Sequence, residues 1–204
     1  MTADRRIGTE DSASRAALLD AALLLMLEEG YASVTSRKVA ARAGLKPQLV
    51  HYYFRTMDDL FLALFRRGAE RNLERHAEAL ASDQPLWALW AFSNEPAGSA
   101  LNIEFSALAN HRKAIRAEIA AYAERFRRQQ LDALEPLLAS RGIDPERLPP
   151  VAALVLMTAV AQIVALEQGL GMSVGHAEAH AVVERYLTEV EGPRRERAAP
   201  DPRD

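Results

Sequence analysis

The chain has 204 residues, 49% hydrophobic and 26% charged, with 25 Lys and Arg against 28 Asp and Glu for a net charge of −3. This composition is globular rather than disordered, and its wealth of Ala, Leu, Arg and Glu over β-branched runs favours helix. The absence of cysteine excludes disulfides, thiolate metal sites and cysteine nucleophiles, and it suits a cytoplasmic protein.

Residues 1–11 are polar and read as a disordered tail; the segment MTADRRIGTEDS has no apolar stretch, so no signal peptide is expected. Ser12 or Ser14 caps a first helix. Its Ala16, Leu19, Ala22, Leu23, Met26 and Leu27 recur every three or four residues, and Gly30 stops it. Leu24 falls on the wet side. Thr35 then caps a second helix over residues 36–43 with a narrow stripe of Val39, Ala40 and Ala43. Gly44 ends it, Leu45 plugs the turn, and Pro47 opens a third helix, where a missing N–H costs nothing. In that helix Val50 and Phe54 are four apart and point inward, Gln48, His51 and Tyr52 point outward, and Tyr53 lies at the margin. Two short helices joined by a tight glycine turn are a helix-turn-helix, whose second helix enters the major groove.

The charge pattern agrees. Residues 1–56 hold 8 basic and 6 acidic side chains, whereas residues 57–204 hold 17 and 22. Residues 31–56 carry Arg37, Lys38, Arg42, Lys46 and Arg55 with no acid, a local +5 that a phosphate backbone explains. Arg37 can reach phosphate or a guanine edge, and Gln48 can read adenine through two hydrogen bonds. Lys46, His51 and Tyr53 can reach phosphate oxygens. With Thr35, Ser36, Pro47 and Tyr52 they form the candidate DNA-binding face.

A long helix follows from Asp58 to about residue 81, its apolar character fading along its length. Pro85 starts a short aromatic helix with Trp87, Trp90 and Phe92. Residues 94–98 read as a break, 99–110 as a helix, and the pattern from His111 to Gly142 as a long amphipathic one. Residues 151–170 are nearly all apolar, interrupted by Thr158 and Gln162. Its longest apolar run, residues 151–166, falls short of the ~20 residues of a membrane span, so a buried core or interface helix is expected. A last helix covers residues 176–190, and residues 192–204 read as a second disordered tail. In the body, Trp87, Trp90 and Phe105 either line a ligand cavity, with Asn102 or His111 as polar anchors, or are ordinary core aromatics. Thr158 and Gln162 either face a ligand or satisfy each other at a dimer seam. Glu104 is expected to be solvated or salt-bridged, and His176, Glu178 and His180 to form a solvated first turn rather than a metal site. No catalytic or cofactor-binding motif is present, so neither an enzyme nor a cofactor is expected.

The stretch RAALLDAALLLMLEEGYASVTSRKVAARAGLKPQLVHYYFRTMDDLF resembles the N-terminal head of the TetR family of transcriptional regulators. The features it shares are an Ala-Ala/Leu helix ending in EEGY, the spacing T-x-R-x-V-A-x-x-A-G, the recognition helix LVHYYF and the start DLF of the linking helix. The resemblance implies an all-α fold of about nine helices. A three-helix head over residues 12–56 binds DNA, and a body over residues 57–191 binds a small molecule and forms the dimer. It further implies that ligand binding moves the linking helix and respaces the two heads. Lys46 stands where the family often has a small capping hydroxyl residue. Met57 stands where it commonly has a phosphate-touching lysine, an absence that Arg55 can offset.

These readings converge on a ligand-responsive DNA-binding regulator of the cytoplasm, in the first instance a repressor released by a largely apolar small molecule. Two heads of a homodimer, paired through helices 151–170 and 176–190, would read a near-palindromic operator in double-stranded DNA. The alternative is a helical protein-interaction module whose basic head docks an acidic partner.

Overall fold

The computed structural model describes residues 12–146 and 149–195; residues 1–11 and 196–204, assigned above to the two tails, lie outside them. Among the described residues the chain is all-α. Its helices are α1 (Ala13–Glu29), α2 (Ser36–Arg42), α3 (Pro47–Tyr53), α4 (Met57–Leu80), α5 (Pro85–Ser93), α6 (Pro96–His111), α7 (Lys113–Ser140), α8 (Pro150–Gly169) and α9 (His176–Glu191), with one 3-10 turn at Tyr31–Ser33.

Local chemistry sets most of these limits. The Ser12 hydroxyl accepts the Arg15 N–H at 3.2 Å to open α1, and Gly30 closes it at φ 80, a conformation that disfavours any side chain. Two limits differ from the sequence reading. The break at 94–98 shrinks to Asn94 and Glu95, because Pro96 sits in the first turn of α6, where its missing N–H is no loss. A single residue, Arg112, separates α6 from α7, and the Arg116 guanidinium satisfies the end of α6 by donating to the carbonyls of Ala109 (3.1 Å) and Asn110 (3.0 Å).

The helices gather into two compact units. Among the described residues, the first comprises residues 12–73 together with Ala100–Arg125. Its core joins Leu18, Met26, Val39 and Val50 to Leu60, Leu108 and Ile115, each at most 1% exposed. The short helices α2 and α3 offer too little surface to cover α1 by themselves, so residues well beyond position 56 complete the head's core. Arg67 on α4 pairs with Asp20 on α1 at 2.8 Å, and the Tyr31 N–H donates to the Glu104 carboxylate at 2.6 Å. Glu104, expected to be solvated or salt-bridged, thus receives the first backbone donor after α1. A Cβ on Gly30 would stand 3.4 Å from it.

The second unit comprises Glu74–Ser99 and the described residues from Phe126 to Arg195. Leu86, Trp87, Leu89 and Trp90 on α5 pack with Leu134 and Leu138 on α7, Leu154 and Met157 on α8, and Leu187 on α9. Gln84, which precedes α5, gives it no side-chain cap. Instead the buried Glu191 carboxylate, at the end of α9, accepts the N–H groups of Leu86 (3.0 Å) and Trp87 (3.1 Å). Glu191→Ala is expected to cost about 2–4 kcal/mol in denaturant unfolding, since two buried donors lose a charged acceptor at a helix N-terminus. An unchanged midpoint would show that water replaces the carboxylate. Residues 192–195, assigned above to the second tail, are bound to the same place. The Trp87 indole donates to the Gly192 carbonyl at 3.0 Å, Gln84 donates to the Pro193 carbonyl at 2.9 Å, and Arg195 N donates back to Gln84 at 2.7 Å.

His76 is buried in this unit between the rings of Phe92 and Phe126, and the Gln130 amide donates to its Nε2 at 2.8 Å. Accepting at Nε2 requires the neutral ring, and burial pushes the imidazole down to about 4. The unfolded chain takes up this proton near pH 6.5, the folded chain only near 4. Stability is therefore expected to fall as pH drops from 6.5 to 4, by at most ~1.4 kcal/mol per unit. Denaturant midpoints measured from pH 7 to 5 check this: His76→Asn should flatten the slope in that window whatever its effect on absolute stability.

α8 is as long as the helix expected over residues 151–170, shifted by one residue. It has 20 residues, and its most apolar 18-residue window has a mean hydropathy of 1.9, so length and composition do not exclude a membrane span. One such helix, packed against α5 and α9, does not indicate a membrane protein. The first turn of α9 also differs from expectation. His176 is buried and meets Glu167 at 2.7 Å, and His180 packs edge-on against Trp90; Glu178 is exposed as expected.

Candidate nucleic-acid interface

The interface is built on α2 and α3 in the first unit. The Thr35 hydroxyl accepts the Lys38 N–H at 3.3 Å and starts α2, after which Val39 and Ala40 turn fully inward. Positive φ at Gly44 (66°) reverses the chain, and Leu45 packs on the core as a half-buried plug. Pro47 takes the first turn of α3. Lys46, preceding it, makes no side-chain cap, so its ammonium is left to solvent or to a ligand. Val50 and Phe54 are 1% and 2% exposed, which locks the opposite face of α3 outward.

That outward face contains most of the predicted residues. Thr35, Arg37, Lys46, Pro47, Gln48, His51 and Tyr52 are exposed, and Ser36 is half-buried. Tyr53 is half-buried as its marginal position implied, its ring meeting Tyr52 edge-to-face at 5.0 Å. The Thr35 hydroxyl is engaged in its cap, so its offer to a ligand is reduced.

The structure corrects the charge of the patch. Lys38 meets Glu29 at 2.6 Å, and Arg42 grips Glu28 through two 2.6 Å hydrogen bonds. The Lys38 ammonium holds the Glu29 carboxyl below the usual carboxylate range. Both acids lie in the last turn of α1, outside the run that holds the five cations. Arg37, Lys46 and Arg55 have no ion pair among the described residues, so a local +5 becomes three cations available to phosphate. The adjacent pair Glu28–Glu29 ahead of a glycine stop was the signal for this neutralisation.

The start of α4 carries two further features that sequence reading passed over. Thr56 and Asp59 form a reciprocal capping box, Thr56 N donating to the Asp59 carboxylate at 3.0 Å and Asp59 N to the Thr56 hydroxyl at 3.1 Å. A hydroxyl residue followed three positions later by an acid was legible as such. Asp58 between them is bound by Arg112 from the α6–α7 junction.

The candidate ligand residues divide between the units. In the first, Phe105 is buried edge-on against Phe65 at 5.3 Å, while Asn102 and His111 are exposed rather than buried anchors. In the second, Trp87 and Trp90 are buried, with indole N–H groups donating to the Gly192 carbonyl and, at 3.4 Å, to Glu184. This is the behaviour of core aromatics. Thr158 is half-buried, and Gln162 is exposed on the outer face of α8 beside Ile163 and Leu166.

Residues 18–64 match the family model for bacterial regulatory proteins of the tetR family. An uncharacterized HTH-type transcriptional regulator in the dhlA 5′ region of Xanthobacter autotrophicus is 28% identical over 148 residues, spanning 65% of this chain and 71% of its own length. Among solved structures, a TetR transcription regulator from Haloarcula marismortui superposes with a TM-score of 0.68 at 17% identity, over 87% of this chain and 97% of the other. A Saccharomonospora viridis protein of proposed regulatory role, solved in complex with choline, superposes with a TM-score of 0.69 at 20% identity, over 86% and 95%. At these identities the two structures establish the shared fold.

Proposed function

We propose, from the premise that this chain belongs to the TetR family of bacterial transcriptional regulators, that it is a homodimeric repressor freed from its operator by a small molecule. The observation that carries the reading is the division of α3. Val50 and Phe54 anchor it in the core, and Gln48, His51 and Tyr52 stand clear of it, with Arg37, Lys46 and Arg55 as cations that have no ion pair among the described residues. Two such helices in successive major grooves, about 34–36 Å apart, read a near-palindromic site. Gln48 reads a base edge, and the cations and tyrosines position the head on phosphate.

Dimerisation through α8 and α9 is supported by an apolar outer face. Val155, Leu156, Ile163 and Leu166 on α8 and Val182 on α9 are each 39–58% exposed, and a coherent stripe of this kind marks an interface. The effector is taken to be largely apolar, in keeping with the aromatic body, and the choline-bound relative offers a precedent for a small organic ligand on this fold. Linkage then requires the effector to weaken DNA binding by the factor by which DNA weakens effector binding.

The test begins by selecting bound duplexes from a random DNA library with the wild-type chain. Gln48→Ala should reduce affinity for the selected site by roughly 5- to 150-fold, the ~1–3 kcal/mol of a good base contact, and Tyr53→Phe should weaken it less. Both should melt with the wild type. Failure to enrich any sequence would sink the reading, and unfolding by Gln48→Ala would move that residue into the core.

A further inference from the structure

The α6–α7 junction reaches the start of α4 through Arg112. Arg112 is the single residue between the two helices. Its guanidinium binds the Asp58 carboxylate in the first turn of α4 and lies over the Phe61 ring at 5.8 Å from its centroid. The junction is held by Arg116, which donates to the last carbonyls of α6. Asp58 follows Arg55 by three residues, and Arg55 is one of the three cations of the patch without an ion pair among the described residues. The neighbouring acid, Asp59, is spent on capping Thr56. Met57, next to it, supplies no charge to offset Asp58. A bare carboxylate here would cancel part of the field that attracts phosphate.

We infer that Arg112, which lies outside the helix-turn-helix, is a positioning residue for DNA binding that acts by masking Asp58. The inference rests on the DNA-binding reading above. The guanidinium and the carboxylate are 40% and 38% exposed, so solvent reaches the pair and its influence on DNA is electrostatic and salt-dependent. Any state that withdraws the junction from α4 uncovers Asp58 and weakens the complex, which places the charge of the DNA face under the control of the α6–α7 turn.

A double-mutant cycle tests this, with fluorescence anisotropy on a ~30-base-pair duplex selected by the wild-type chain, long enough for two half-sites. Near 50 mM salt, Arg112→Gln should weaken binding about 5-fold, and near 300 mM the loss should fall below about 2-fold as the Debye length shortens. Asp58→Asn alone should bind as tightly as wild type or tighter, and adding Arg112→Gln to it should change affinity less than about 2-fold. Equal losses from Arg112→Gln in both backgrounds, or a loss indifferent to salt, would make Arg112 a structural brace and overturn the inference. If Arg112→Gln lowers the melting temperature, Arg112→Lys supplies the second arm: restored charge should restore affinity, and a loss as large as that of Arg112→Gln overturns the inference. A wild-type chain that selects no duplex removes the DNA-binding reading along with it, whereas normal wild-type binding with an additive cycle removes this inference alone.

Discussion

Raising monovalent salt from about 50 to about 200 mM is expected to weaken operator binding about 10³-fold. Each phosphate neutralised by a basic side chain contributes a slope of about −0.9 in log affinity against log salt. Five cations per head would give a dimer ten contacts, a slope near −9 and a loss of about 10⁵ over the same range. Because Lys38 and Arg42 are paired with Glu29 and Glu28, only Arg37, Lys46 and Arg55 count fully. Six contacts per dimer then give a slope near −5. The two values are far enough apart for an equilibrium salt titration to distinguish them. Glu28→Gln together with Glu29→Gln should free the paired cations and steepen the slope. A slope near −1 for the wild type would remove phosphate from the list of partners and favour docking on an acidic protein.

Phe54→Ala is expected to cost about 3–5 kcal/mol of folding stability, the range for deleting a fully buried phenyl ring. The residue ends α3, its N–H donates to the Val50 carbonyl at 2.8 Å, and its side chain is 2% exposed. The Arg15 guanidinium of α1 covers the ring at 5.3 Å. Truncation therefore opens a cavity at the meeting of α1, α3 and α4 and removes a cation–π contact as well. Chemical denaturation followed by circular dichroism measures the loss, and DNA binding should vanish wherever the head unfolds. Tyr53→Phe, one residue earlier and only half-buried, should leave the midpoint nearly unmoved. A cost below about 1 kcal/mol for Phe54→Ala would mean that the core is built without it.

The candidate DNA face was legible because every step in reading it is local. A serine cap, a glycine stop, a proline in a first turn and apolar residues four apart are written within a few positions of one another. They predicted which side of α3 faces inward. The same locality explains the error in charge. The five cations were visible in one run of sequence, but their two partners sit in α1, 9 and 14 residues away, across a turn. The apolar character of residues 151–170 announced burial without saying how it is divided. The fold buries Ala153, Leu154, Met157, Ala161 and Val164 and leaves Val155, Leu156, Ile163 and Leu166 outside. Gln162 was ambiguous in the sequence for that reason, and it lies on the outer face.

By itself, then, the sequence determined the helices, most of their caps and the helix-turn-helix, because helical period, capping and turn chemistry act over one or two turns of chain. Only the tertiary structure decided which charges stay free, that Glu191 caps α5 from 105 residues away, that His76 is neutral between two phenyl rings, and that Arg112 reaches Asp58 across 54 positions. Such pairings depend on how helices pack, and packing is selected by the summed burial of many side chains, which no single stretch of sequence records.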